Sequence, residues 1–311
     1  INYAKFKKIF LLSFLVTSFS FSFGQDDLGA DEVVDSLAVE EDALADYYRL
    51  DSIASSLKYD SSGVISLFDG KANLEIPEGY MYLGREDANT VLHDIWGNPP
   101  SNTTDGLLVP KIGGVFADSS FAITIAYSDE GHIDDEDAES IDYNELLEEI
   151  QSATVESNEA RVEQGYETIE IVGWASDPFY DANSKKIHWA KEIKFGNSEL
   201  NTLNYEVRIL GREGVIDMTF IADISQLEQV KADIDPLLAS VNFLNGNTYA
   251  DYNPDTDKTA EYGIAGLVAG GLLLKAVKGG FLLKFWKVIL IGGGVVIAAV
   301  KKFFGKKTSE E

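Results

Sequence analysis

At 311 residues, 45% of them hydrophobic, the chain can bury a substantial core in one domain with appendages. Its net charge of −27 is uneven: residues 25–261 hold 50 acidic and 14 basic residues, a net of −36, a field that repels nucleic acid and favours hydration, cations or a basic partner. With no cysteine and only three scattered histidines, His93, His132 and His188, the chain excludes disulfides, thiol nucleophiles and thiolate metal sites and offers little for a zinc site or a Ser-His-acid triad.

The first 24 residues have the form of an export signal. Lys5, Lys7 and Lys8 precede an apolar run from Ile9 to Val16, and Ser22 and Gly24 stand at the −3 and −1 positions of a cleavage site before Gln25. An acidic lead-in follows over 25–62. Between Gln25 and Asp51 it carries ten acids against one arginine, which reads as a solvated helix or flexible segment outside the core.

A folded α+β domain is expected over 63–248. Val64 to Phe68 and Ala72 to Ile76 form two strands around an Asp69-Gly70 turn, and Tyr80 to Leu83 a third. Arg85 to Trp96 is a helix stopped by Gly97-Asn98-Pro99-Pro100. Strands follow at Gly106 to Val109 and Phe121 to Tyr127. Asp142 with Glu145 then forms a capping box, opening a helix toward Arg161. Four strands come next, Thr168 to Trp174, Ile187 to Phe195, Leu203 to Leu210 and Val215 to Ile221, the last two joined at Gly211-Arg212-Glu213-Gly214. A helix from Ser225, with Leu227, Val230, Ile234, Leu237 and Leu238 at helical spacing, closes the domain. Strands in meanders with intervening helices imply an antiparallel sheet packed with helices.

Residues 249–261 read as an acidic linker. Two apolar stretches follow, Tyr262 to Val277 and Phe281 to Val300, each short of the roughly 20 residues a span needs unless its lysines reach the interface. Gly266 with Gly270, and Gly292-Gly293-Gly294, would let two helices approach closely, so a membrane hairpin over 262–304 with a tail at 305–311 is expected. An interfacial helix is the alternative for the first stretch. Lys275, Lys278, Lys284 and Lys287 cluster around the connection and Lys301, Lys302, Lys306 and Lys307 in the tail, four against four, so charge does not orient the hairpin.

The segments Asp94-Ile-Trp-Gly-Asn-Pro-Pro100, Ile141-Asp-Tyr-Asn-Glu-Leu-Leu147, Val172-Gly-Trp-Ala175, Trp189-Ala-Lys191, Leu203-Asn-Tyr205 and Tyr249-Ala-Asp-Tyr-Asn-Pro-Asp-Thr-Asp-Lys258, followed by Tyr262-Gly-Ile-Ala-Gly-Leu267, resemble the bacterial family of membrane-anchored proteins called domain of unknown function 2167. The resemblance runs from about Gly63 through the second apolar stretch. It implies a signal, an outer domain and a C-terminal anchor, and carries over no catalytic or cofactor-binding residue. The strand order and closing helix also resemble the small sandwiches of the PsbP type, a likeness of architecture that carries no function.

Four constellations are candidates for chemistry. Asp129 to Asp137 is the densest set of hard oxygen ligands, suited to a cation such as calcium, but its spacing differs from an EF-hand loop and a solvated loop is the simpler account. Asp251, Asp255 and Asp257 are read the same way. His93-Asp94 with Trp96, and His188 with Trp189, are candidate general-base pockets set against ordinary packing. No GxSxG elbow or Walker loop occurs, so no catalytic or cofactor-binding residue is assigned, no cofactor is expected and a metal is left open. The expected role is a non-catalytic binding or scaffolding domain of the bacterial envelope, on the periplasmic side of the cell membrane, with the lipid bilayer and an envelope protein or cations as partners. The alternatives are an envelope enzyme using carboxylate and histidine chemistry, and an accessory subunit of a membrane transport assembly.

Overall fold

The computed structural model describes residues 45–270 apart from 102, 118 and 119. The expected export signal and most of the expected hairpin, 271–304, lie outside the described residues, as does the expected tail. Among the described residues no helix is long and apolar enough to cross a membrane.

Among the described residues eleven strands form two antiparallel sheets. The smaller sheet contains β2 (Val64–Leu67), β3 (Ala72–Glu75) and β11 (Val241–Phe243), with β3 in the centre. Its hairpin turns at the expected Asp69-Gly70, where Phe68, Asp69 and Gly70 all take positive φ. The larger sheet has β1 (Tyr59–Asp60), β4 (Tyr80–Gly84), β5 (Gly106–Pro110), β6 (Ala122–Ser128), β7 (Ile169–Asp181), β8 (Lys186–Phe195), β9 (Thr202–Leu210) and β10 (Val215–Asp223). Their order is β1-β4-β5-β6-β10-β9-β8-β7. The β9–β10 turn requires glycine at both ends: a Cβ on Gly211 would meet the Phe243 ring, and one on Gly214 the Tyr127 hydroxyl. Edge strand β7 runs past its expected end and breaks register with β8 three times, so bulges blunt its free edge.

Alternation along the strands gives the large sheet an inner and an outer face. On the inner face Leu203, Tyr205 and Val207 of β9, with Ile216, Met218 and Phe220 of β10, pack against the small sheet and against Val230, Ile234, Leu237 and Leu238 of a helix, Leu227–Ala239. The expected spacing of that closing helix thus marks its buried stripe, and an Asp223–Gln226 capping box starts the turn before it. On the outer face two separate cores form. One lies under the helix Tyr143–Glu163, whose N-cap Asp142 accepts from the amides of Asn144 and Glu145. The other lies under the helix Arg85–Thr90, which continues as a π turn, Val91–Ile95, and ends at Gly97 in the left-handed conformation.

The folded unit extends beyond 63–248 at both ends. Residues 45–56 form a helix, and β1 pairs with β4, so the second half of the acidic lead-in belongs to the fold. Leu50 and Leu57 are buried against Leu83, Leu107 and Val109, with Ile53 and Ala54 beside them. That spacing is a helical stripe which the surrounding acids obscured. At the other end, residues 249–261 are folded onto the domain, and Ile264–Ala269 is a helix in its core, with Ile264, Leu267 and Val268 buried beside Trp189. Gly270 ends this helix with φ 83°, and Gly266 packs under the Tyr262 ring. The start of the expected first span is therefore packed against protein. Hydropathy alone does not separate a short core helix from the beginning of a span. In chain order the helices are α1 (45–56), α2 (Arg85–Thr90), α3 (Tyr143–Glu163), α4 (Leu227–Ala239) and α5 (Ile264–Ala269).

Candidate functional site

Between the two outer-face cores, the middle strands carry charge where apolar residues would be expected. Asp217 of β10 pairs directly with Arg208 of β9, and Glu206 lies between Trp189 of β8 and Thr219 of β10. Arg208 Nε meets Asp217 Oδ1 at 2.9 Å and Arg208 Nη2 meets Glu206 Oε2 at 3.3 Å. Lys191 Nζ lies 2.7 Å from Glu206 Oε1, and Ser128 Oγ donates to Asp217 Oδ2 at 2.6 Å. The result is an alternating row of four charges, in which the Glu206 side chain is 3% exposed and that of Arg208 11%.

Such a row is costly to desolvate and is kept only if its members satisfy one another. Burial pushes the Asp217 carboxyl above its ordinary value, against the pull of Arg208 and Ser128. Two donors remain unsatisfied. Arg208 sits over the Trp189 ring, 5.2 Å from its centroid, and both Arg208 Nη1 and Trp189 Nε1 are buried with no hydrogen-bond partner among the described residues. Glu206 Oε1 and Asp217 Oδ1 face their cations as ion pairs without well-directed hydrogen bonds. At one end of the row the half-buried Tyr262 bonds Glu130; burial, then that carboxylate, raises its phenol well above the ordinary range.

A second constellation fastens residues 249–260 to the domain. His132, 8% exposed, stacks between Tyr252 (ring centroids 3.7 Å) and Tyr249 (4.3 Å). Its backbone exchanges hydrogen bonds with Lys258 and Ala260. Arg212 grips Asp257 through Nε and Nη2. Asp135 accepts from Tyr180, Lys185 and Tyr249; burial opposes its ionisation, but these partners hold the carboxyl below its ordinary value.

The expected sites fare differently. The acidic run 129–137 is distributed over structural tasks: Asp135 is the hub just described, and both oxygens of Asp137 cap α5 by accepting from Ile264 and Ala265. Among the described residues no three acidic or histidine side chains are arranged to hold a metal ion. Asp257 pairs with Arg212, and Asp251 accepts from the amides of Gly246 and Thr248. Asp255 is exposed. His93 contacts Asp94 at the surface, while the Trp96 indole donates to the Val115 carbonyl. His188 and Trp189 are adjacent in β8 and so point to opposite faces; His188 meets Tyr205 on the inner side and Trp189 lies in the outer core. They do not form a common pocket. Lys191, Glu206, Arg208 and Asp217 were missed, although Glu206 and Arg208 interrupt the apolar run of β9 at a spacing of two, which places them on one face.

The family described as Protein of unknown function (DUF2167) matches residues 59–301. The chain belongs to that family. No curated protein matches it. Among solved structures, cyanobacterial PsbP (CyanoP) from Synechocystis sp. PCC 6803 is 12% identical with a TM-score of 0.34, covering 60% of this chain and 94% of that one. The Ran-binding protein Mog1p of Saccharomyces cerevisiae is 9% identical with a TM-score of 0.30, covering 60% and 96%. Likenesses at this level carry no argument about the chain, whose α+β class rests on its own strand order.

Proposed function

We propose that this family member is a non-catalytic binding or scaffolding domain held at the extracytoplasmic face of the cell membrane, with residues 271–304 as its anchor. The observation that supports this reading is the docking of 249–269. The segment expected to be an acidic linker is fastened at His132, Asp135 and Arg212, and α5 runs from it into the sheet's outer core. A domain joined this way to an apolar stretch is presented to partners in a fixed orientation, which suits a scaffold better than a freely swinging module. The export-like first 24 residues support the extracytoplasmic side.

The test is expression of the full chain in a bacterial host. Carbonate-washed membranes should retain the protein, protease added to spheroplasts should reach its domain, and mild-detergent purification should recover a partner. Protein released by carbonate, or protected in spheroplasts and exposed only on lysis, would overturn the placement.

A further inference from the structure

We infer that the outward face of α3 docks a basic amphipathic helix of a partner protein. The inference rests on the reading of the domain as a binding module, names the chemistry of what it binds, and is independent of the membrane anchor. Its starting point is the side of α3 turned away from the core. Glu148, Ser152, Val155, Glu159 and Val162 recur four and three residues apart, the spacing that lays side chains in one seam along a helix. All five are exposed, Val155 to 69% and Val162 to 58%. Glu149, Glu156 and Glu163, seven apart, run along one side of the seam. The other side is closed. Gln151 Nε2 donates to the Ile171 carbonyl and Asn158 exchanges two hydrogen bonds with Ile169, so both amides bind the start of edge strand β7.

Such a face weakens the helix by itself. Glu145 repels Glu149 and Glu159 repels Glu163 across one turn, the last two also oppose the helix dipole, and exposed valine is a poor helix former. The one base of α3, Arg161, is turned inward, its Nε donating to the Glu167 carbonyl. Charge and spacing then select the occupant. The net charge of −36 over residues 25–261 disfavours nucleic acid, an anionic lipid surface and a second copy laid glutamate to glutamate. Residues 271–311 hold eight lysines, but no two are seven apart, so they do not match Glu149, Glu156 and Glu163. A partner helix fits when apolar side chains face Val155 and Val162, a lysine or arginine faces Glu159 between them, and further cations line the Glu156 side. The charges set partner choice and register, and the valines give the contact that excludes water.

The experiment uses the full chain in nonionic micelles and a fluorescent helical peptide with leucines set to face the two valines and lysines set to face Glu149, Glu156, Glu159 and Glu163. A scrambled peptide of the same composition is the control, and micelles without protein give the background anisotropy. We expect saturable binding of the patterned peptide, at least about tenfold tighter than the scrambled one. That advantage should shrink in V155S/V162S and in E156K/E163K, and persist in E228K, a charge reversal at an exposed position of α4. Equal affinity of the two peptides, or the same loss in E228K, would reduce the effect to general acidity and overturn the docking face. A complex of two chains that falls to one in V155S/V162S would give the seam to a second copy. Patterned binding seen only in K301Q/K302Q/K306Q/K307Q would give it to the chain's own C-terminal lysines, and either result overturns the partner. If a variant unfolds, the wild-type comparison of patterned with scrambled peptide still decides. Loss of the anchor would appear in carbonate extraction and leave the peptide titration unchanged.

Discussion

Arg212 Nε and Nη2 meet the two carboxylate oxygens of Asp257 at 2.7 and 2.8 Å, joining the β9–β10 turn to a residue 45 positions later. This two-pronged geometry fixes direction as well as distance, and it holds the Asp257 carboxyl well below the usual carboxylate range. Asp257→Asn should therefore loosen the fastened segment without disturbing the sheet. Hydrogen exchange at the Asn253 and Ala260 amides should quicken on the order of tenfold, while amides of β9 and β10 stay protected. Uniform acceleration across the domain would mean that the pair supports the whole fold.

The position of α5 sets where the chain can be cut. Ile264, Leu267 and Val268 are 0%, 6% and 4% exposed, and burying each such side chain contributes about 1.5–3 kcal/mol. Together, at about 4.5–9 kcal/mol, they rival the roughly 5–15 kcal/mol net stability of an ordinary domain. A chain ending at residue 270 should unfold cooperatively in urea, whereas one ending at 261 should lose its near-ultraviolet signal or its cooperative transition. Equal midpoints for the two would show that α5 adds nothing to the core.

These boundaries mark the limit of what was legible in the sequence. The hairpins, the Asp142 cap and the apolar spacing of α4 were readable because local chemistry determines them. The joins were not. Leu50, Ile53, Ala54 and Leu57 form a stripe whose helical spacing is masked by acids, and Ile264 to Ala269 has the composition of both a core helix and the start of a span. The ionic row was hidden differently: its four members come from three strands, and only pairing register brings Lys191, Glu206, Arg208 and Asp217 together.

His132 should make the fold sensitive to mild acid. Burial between the tyrosine rings lowers its affinity for a proton below the ordinary value of 6.5, although the carbonyl of Arg212 and the charges of Asp134 and Asp135 pull the other way. The unfolded chain then binds the proton first, so stability falls as pH drops through about 6.5 toward the lower folded value. His188, lowered chiefly by burial as well, acts in the same direction. The urea midpoint should decrease between pH 7.5 and 5.5, and His132→Phe should remove part of that decrease. A slope unchanged in H132F would assign the effect to His188 alone.

Glu206 is the member of the row whose loss should cost most. Its two oxygens face Lys191 Nζ at 2.7 Å and Arg208 Nη2 at 3.3 Å, and its side chain is 3% exposed. Glu206→Gln keeps the shape but leaves Lys191 nearly buried without a counterion, and breaking a buried pair from one side typically costs 3–5 kcal/mol. We expect a loss of about 3 kcal/mol in urea-derived stability. Adding Lys191→Met removes the stranded ammonium while keeping its apolar stem, so the double variant should regain a large share of that loss. If the losses simply add, Lys191 and Glu206 are not energetically coupled and the row is four separate charges. Recovery in the double variant would establish that the charges stabilise one another in pairs, as an alternating row requires.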